Sequence, residues 1–275
     1  ALLANQKALI ARSFKYHRPR GIMSAGVEEA GALVTIGSGA YTEPNVRAST
    51  TELSEGLQAR SQNAWPSVRY DVGSILNLFG RFLSAGFYYK MFMGIPPFEW
   101  GRGTGIWMFF ERFIRKAAGL GTASRLADPD YYDQSHSHVD LLIVGGGPAG
   151  IQAAITAAQA GTDVMLVEQD FELGGSYLGL TDTKTLNNLK DQLASLNVTI
   201  KLRTVAFGLY DDGTAGLVEQ VSESHGNESQ PRQRFHICRA DKIILATGAI
   251  ERNYAFANND IPGIMTVNAA QIYLN

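Results

Sequence analysis

Residues 141–144, Leu-Leu-Ile-Val, form one short unbroken apolar block, the pattern of a strand covered on both faces. A glycine cluster follows. Residues 151–160 are small and apolar, as suits a closely packed helix, and Gly161 stops them. Residues 163–168 form a second apolar strand ending in an acid. Beyond it the spacing predicts a helix over 186–196, a strand over 198–205 and a hairpin over 207–221 turning at Asp211-Asp212-Gly213. Residues 222–233 are a polar loop, and 242–248 give another apolar strand running into Ala-Thr-Gly. The strands around the loop form a small meander inserted before that last strand. Ahead of residue 139 the elements are shorter. Residues 1–11 look helical, 32–37 form a strand, and 44–53 begin extended. They predict a small α+β unit ending near Gln62. Residues 65–121 are dense in aromatics and methionine, with an amphipathic helix starting near Trp107, and 128–138 are a linker.

The strand–glycine–helix junction is the main candidate for chemistry. Gly145, Gly147 and Gly150 fit G-x-G-x-x-G where the first strand hands over to the helix. Gly145 permits the tight turn, Gly147 lets backbone approach a pyrophosphate, and Gly150 lets the helix pack closely on the strand. With Gly146, Pro148 and Ala149 they open a helix whose free N–H groups favour phosphate. Glu168 ends the next strand about 20 residues on, where an acid binds a ribose hydroxyl, and Gln169 follows it. Gly174 and Gly175 let backbone come close to the same ligand. Val205, Thr247 and Gly248 complete the candidate cofactor-binding set. The phrase Ala246-Thr247-Gly248 resembles the second fingerprint of flavoprotein folds with two dinucleotide-binding domains. These residues predict an α/β, Rossmann-like domain, and they leave NAD and FAD equally open.

At 275 residues and 45% hydrophobic content, the chain can bury a core of more than one domain. A net charge of −2 supplies no basic field for nucleic acid or anionic lipid. The one cysteine, Cys238, excludes an internal disulfide and an all-cysteine metal site, and it reads as a buried, inert thiol. The histidines are scattered, so no catalytic constellation and no metal site is assigned. Arg81 and Lys90 interrupt the aromatic region, so no stretch reaches the ~20 apolar residues needed to span a bilayer. Burial against protein is the expectation for that region, with a membrane-surface helix as the alternative. Lys15, His17, Arg18 and Arg20 make residues 12–20 a basic segment, read as a solvated loop rather than an anion site. The first residues look like a helix already under way and the last like a helix cut short, as in a fragment of a longer chain.

Two resemblances sharpen this. Residues 13–34 and 45–51 resemble a plant-type ferredoxin domain without its ligands. The spacing C-x4-C-x2-C falls on Ser24, Glu29 and Ala32, with the distant fourth position near Ser49, and none is cysteine. Over nearly its whole length the chain resembles the alpha subunits of heterotetrameric sarcosine oxidases. The phrases that do so are residues 13–22 (SFKYHRPRGI), 63–69 (NAWPSVR), 85–90 (AGFYYK), 115–121 (RKAAGLG) and 246–252 (ATGAIER). The resemblance implies three segments. These are a cluster-free ferredoxin-like domain over 1–62, an aromatic-rich helical and linker segment over 63–138, and a dinucleotide-binding domain over 139–275. It also implies a cytoplasmic complex with beta, gamma and delta subunits that oxidises sarcosine to glycine, with oxygen as oxidant and tetrahydrofolate as methylene acceptor. NAD is then expected on this chain, the alternatives being an FAD-binding subunit of a related amine or opine oxidase or dehydrogenase, or a non-catalytic scaffold subunit with a structural dinucleotide. FMN and the amine-oxidising FAD are expected mainly on the partner beta subunit, and the folate site on a further C-terminal domain.

Overall fold

The computed structural model describes residues 1–80, 104–181, 183–222, 225–227 and 229–274. The expected aromatic run over 86–93 lies outside the described residues. By contacts the chain divides into two units: 1–128 with 251–269, and 129–250 with 270–275. The segment 63–138 of the sequence reading is thereby shared between them.

In the first unit, β1 (Ala11–Arg12) pairs with β2 (Pro19–Arg20), and β3 (Leu33–Ile36) lies between β4 (Glu43–Arg47) and β5 (Ala59–Ser61) in an antiparallel sheet. Ile10, Ile22, Ala32 and Val34 form its core. The helix expected over 1–11 is a correction: only a 3-10 turn at Leu3–Asn5 forms. Gln6 then enters the left-handed region at φ 57°. The reason is tertiary, since Ile10 is buried and its N–H donates to Arg20 O (2.9 Å), drawing the chain into sheet-like pairing. The amphipathic helix is present as α1 (Thr104–Ala117).

The basic segment is not the solvated loop expected. Arg18 Nη2 lies 2.9 Å from Asp260 Oδ1, and Arg20 also pairs with Asp260. His17 Nδ1 meets Asp71 Oδ2 at 2.6 Å. Asp71 also accepts the N–H groups of Trp65 and Gly73 through Oδ1, capping a 3-10 turn over Val72–Asn77.

The second unit is built on β6 (Tyr132–Val144), α2 (Pro148–Gln159), β7 (Val164–Val167), α3 (Lys184–Ala194), β8 (Val198–Lys201), β9 (Thr204–Tyr210), β10 (Thr214–Gln220) and β11 (Gln233–Leu245). One sheet runs β8-β7-β6-β11-β10-β9. Its first four strands are mutually parallel, and β9 and β10 are joined antiparallel. Strand side chains alternate between faces, and the two cores show it. Leu141, Ile143, Val164 and Leu166 pack with Ile151, Ala154 and Ile155 of α2 and with Leu186 and Leu193 of α3. Leu142, Val144, Met165 and Val167 face the other way, against Ala215, Leu217, Cys238 and Ala240. The antiparallel strands therefore cover the face that the helices leave. Each fully buried leucine or isoleucine in these layers contributes about 1.5–3 kcal/mol.

Three boundaries differ from expectation. The linker over 128–138 is largely strand, because residues 132–139 pair in parallel with residues 233–240 before either chain reaches the apolar core. The meander's last strand and the Ala-Thr-Gly strand are one continuous β11. The strand expected over 198–205 breaks at Arg203, whose φ of 49° turns the chain from β8 into β9. The hairpin turns where expected, with Asp212 at φ 56° and Gly213 at φ 67°.

Among the described residues no helix is long and apolar enough to cross a membrane, and no group of three or more His, Cys, Asp or Glu is placed to hold a metal ion.

Candidate dinucleotide site

The carboxyl ends of β6, β7 and β11 converge on the glycine loop. In open α/β sheets this is where ligands bind. Gly145 leaves β6 at φ 108°, and its N–H donates to Val167 O (2.8 Å). A β-carbon there would strike the Ala246 carbonyl, so only glycine lets β6 and β11 end this close together. A β-carbon at Gly150 would strike the Gly145 carbonyl, which explains how α2 packs so tightly on its own loop. Gly147 is the N-cap of α2 and Pro148 its first residue. Proline fits there because its missing N–H is one the helix start does not use.

Gly147 itself is in ordinary extended backbone, at φ −74° and ψ −179°. A β-carbon at Gly147 would meet nothing nearer than Gly175 Cα, 4.0 Å away. The protein's own packing therefore does not require glycine at this position. A pyrophosphate lying against the backbone does. Together with the N-terminus of a 12-residue helix, which favours anions, this shows that the residues present fit a dinucleotide.

Glu168 is buried, and both its oxygens are engaged. Oε2 accepts the Gly146 N–H (2.6 Å) and Oε1 accepts the Asp170 N–H (3.0 Å). These bonds fix the carboxylate's orientation, and each oxygen retains a lone pair. Desolvation, and next the charge of Glu168, push the Asp170 carboxyl above its ordinary value. Gly174, at φ 141°, donates its N–H to Gly146 O (2.9 Å). A β-carbon at Gly175 would sit 3.0 Å from Gly147 Cα. The structure thus brings together Gly145, Gly146, Gly147, Pro148, Gly150, Glu168, Gly174 and Gly175. Ala149 and Gln169 are exposed beside them. Thr247 and Gly248 continue from Ala246, whose N–H donates to Val144 O (2.8 Å). Val205 is further removed, in edge strand β9, linked to the site through its neighbour Thr204, whose N–H donates to Glu168 O (2.8 Å).

Leu173 and Asp170 were missed in the sequence. Leu173 lies where a β-carbon on Gly146 would fall, and Asp170 contributes only its N–H. An apolar residue just ahead of the Gly174–Gly175 pair was the one available signal. Away from the site, Ser135 Oγ lies 2.5 Å from His236 Nδ1, and His236 Nε2 lies 2.6 Å from Glu219 Oε2, which also meets Lys201 (3.2 Å). Burial raises the Glu219 carboxyl, but the His236 bond and the Lys201 charge outweigh it and hold it below its ordinary value. These groups come from four strands, and no sequence spacing announces them.

This fold and this site define a dinucleotide-binding module of the oxidoreductase type, preceded by a ferredoxin-like domain. Residues 140–246 match the family described as FAD dependent oxidoreductase, and residues 1–64 match that described as 2Fe-2S iron-sulfur cluster binding domain. Over its whole length the chain is similar to alpha subunits of sarcosine oxidase. Identity to that of Rhizobium meliloti (strain 1021) is 48%, and to that of Corynebacterium sp. (strain U-96) 31%, with all of this chain aligned in both cases. The chain spans 28% and 24% of their respective lengths. An opine oxidase subunit of Agrobacterium tumefaciens (strain Ach5) is 31% identical over 49% of this chain and 29% of its own. L-proline dehydrogenase from P. horikoshii shares the fold at a TM-score of 0.55 and 20% identity, over all of this chain and 42% of that one.

Proposed function

We propose that this chain is the dinucleotide-binding part of the alpha subunit of a heterotetrameric sarcosine oxidase, and that it binds NAD at the glycine loop. The end-to-end identity of 48% with the R. meliloti alpha subunit carries the reading. The complex, with beta, gamma and delta subunits in the cytoplasm, demethylates sarcosine oxidatively to glycine. Oxygen is the oxidant and tetrahydrofolate the methylene acceptor, with FMN and a further FAD mainly on the beta subunit. In this role the N-terminus of α2 and the backbone at Gly147 receive the pyrophosphate, Glu168 accepts the ribose hydroxyls, and Gly175 and Thr247 border the ligand. A bound dinucleotide supplies hydride-accepting or hydride-donating capacity; this chain's residues bind and orient it.

A second reading places FAD in the same loop. The match of residues 140–246 to the FAD dependent oxidoreductase family favours it. Denaturing the purified full-length alpha subunit, then identifying the released dinucleotide, separates the two. A colourless protein releasing NAD is the expected result. Release of FAD, with the visible absorption of a flavin before denaturation, transfers the site to the second reading.

A further inference from the structure

The family matched by residues 1–64 is described by the cluster it binds, yet the loop that would hold that cluster is built differently here. A plant-type site needs thiolates spaced C-x4-C-x2-C and a distant fourth. The corresponding positions, Ser24, Glu29, Ala32 and Ser49, are nevertheless gathered as ligands would be. Ser24, Glu29 and Ala32 are 1%, 2% and 0% exposed. The Ser49 hydroxyl donates to Gly26 O (2.9 Å) inside the loop, and the Ala48 N–H donates to Ala32 O (3.0 Å). The chain's single cysteine, Cys238, lies in the second unit. The residues therefore do not fit an iron–sulfur cluster.

The Glu29 side chain fills the loop instead. Its Oε2 accepts the N–H groups of Met23 (2.8 Å) and Ser24 (2.9 Å), and its Oε1 those of Gly31 (2.5 Å) and Ala32 (3.0 Å). Successive backbone N–H groups curled around an anion are the arrangement by which protein backbones hold phosphates and iron–sulfur clusters. Gly31 permits the close approach, since a β-carbon there would sit 2.7 Å from Gly21 O and 3.2 Å from Glu29 Oε1. A carboxylate buried to this degree is stable only because its lone pairs are met by donors.

We propose that Glu29 is the built-in replacement for the cluster: its carboxylate occupies the anion position of the ferredoxin-type loop and holds residues 23–32 folded without metal. The loop then carries no electrons, and the first domain's role is scaffolding. This rests on the loop geometry and is independent of which dinucleotide the second unit binds.

The test uses the full-length protein. Wild type is incubated with ferrous iron and sulfide under reducing conditions, desalted, and assayed for iron, then compared with chelator-treated protein by amide hydrogen exchange. The expected result is no retained iron and identical protection at Met23, Ser24, Gly31 and Ala32. Glu29→Gln, which keeps the shape and removes the charge, is expected to lose at least tenfold protection at these amides while those of residues 141–144 are unchanged. Loss confined to the loop or spread through the first unit supports the proposal equally. Iron retained by wild type, or a Glu29→Gln protein with wild-type protection at these four amides, overturns it.

Discussion

The loop over residues 23–32 and the glycine loop over 145–150 both turn backbone N–H groups toward an acidic centre, and they differ in what supplies the charge. In the first, one carboxylate takes four N–H groups and is 2% exposed. The chain has closed the site upon itself. In the second, Glu168 takes the N–H of Gly146 and that of Asp170, neither of which belongs to α2. A β-carbon at Gly147 would meet no protein atom within ordinary contact distance short of Gly175 Cα at 4.0 Å. A structural anion loop and a binding one are thereby distinguishable. In the structural loop the N–H groups of Met23, Ser24, Gly31 and Ala32 are matched by one internal carboxylate, and Gly31 is explained by protein contacts. In the binding loop a glycine remains that protein contacts do not explain.

Substitutions that break this contrast rank by what they displace. Gly150→Val forces a branched side chain against the Gly145 carbonyl, so a loss of about 3 kcal/mol or more is expected in denaturant unfolding, together with loss of the dinucleotide. Glu29→Ala strands four N–H groups, three of them buried, and about 2 kcal/mol is expected, read by the same unfolding measurement. Glu168→Gln keeps an acceptor for Gly146 but removes the charge. With NAD as the ligand, as proposed above, binding should weaken by about tenfold, and the preference over NADP should narrow, because the carboxylate no longer repels a 2′-phosphate. Comparable NAD and NADP affinities in wild type would contradict the role given to Glu168. The smallest effect is at Glu219. Its depressed carboxyl contributes stability fully present above the ordinary glutamate value of about 4.3 and lost as pH falls through the lower folded-state value. Comparing wild type with Glu219→Gln across acid pH should show a difference of up to about 1 kcal/mol that shrinks as pH falls.

The second unit was largely legible because its signals are local. The apolar block 141–144, the glycine spacing and the terminal acid Glu168 each have a mechanical reason that depends on near neighbours. Its long strands were not legible. Residues 132–138 carry no apolar run, and they become strand only because residues 233–239 pair with them. In the first unit, residues 1–11 were misread because Ile10 answers to Arg20 rather than to its own helix propensity. Sequence spacing placed Glu29 at a ligand position, yet nothing in one chain announces that its carboxylate folds back onto Met23, Ser24, Gly31 and Ala32. The His236–Glu219–Lys201 group was hidden for the same reason. His236 and Glu219 meet across the β10–β11 pair, and Lys201 reaches Glu219 from β8, a strand not paired with β10.

Gly147→Val in the full-length protein tests the dinucleotide site most directly. The backbone at Gly147 is in a conformation that valine readily adopts, and its β-carbon has room among the protein atoms. The added bulk stands where the pyrophosphate must come close. Far-ultraviolet circular dichroism should be that of wild type, and the dinucleotide released on denaturation should fall below about a tenth of the wild-type amount, a difference of about 1.4 kcal/mol or more. A well-folded variant that releases a full complement would mean that the loop between β6 and α2 is a turn and not a binding site.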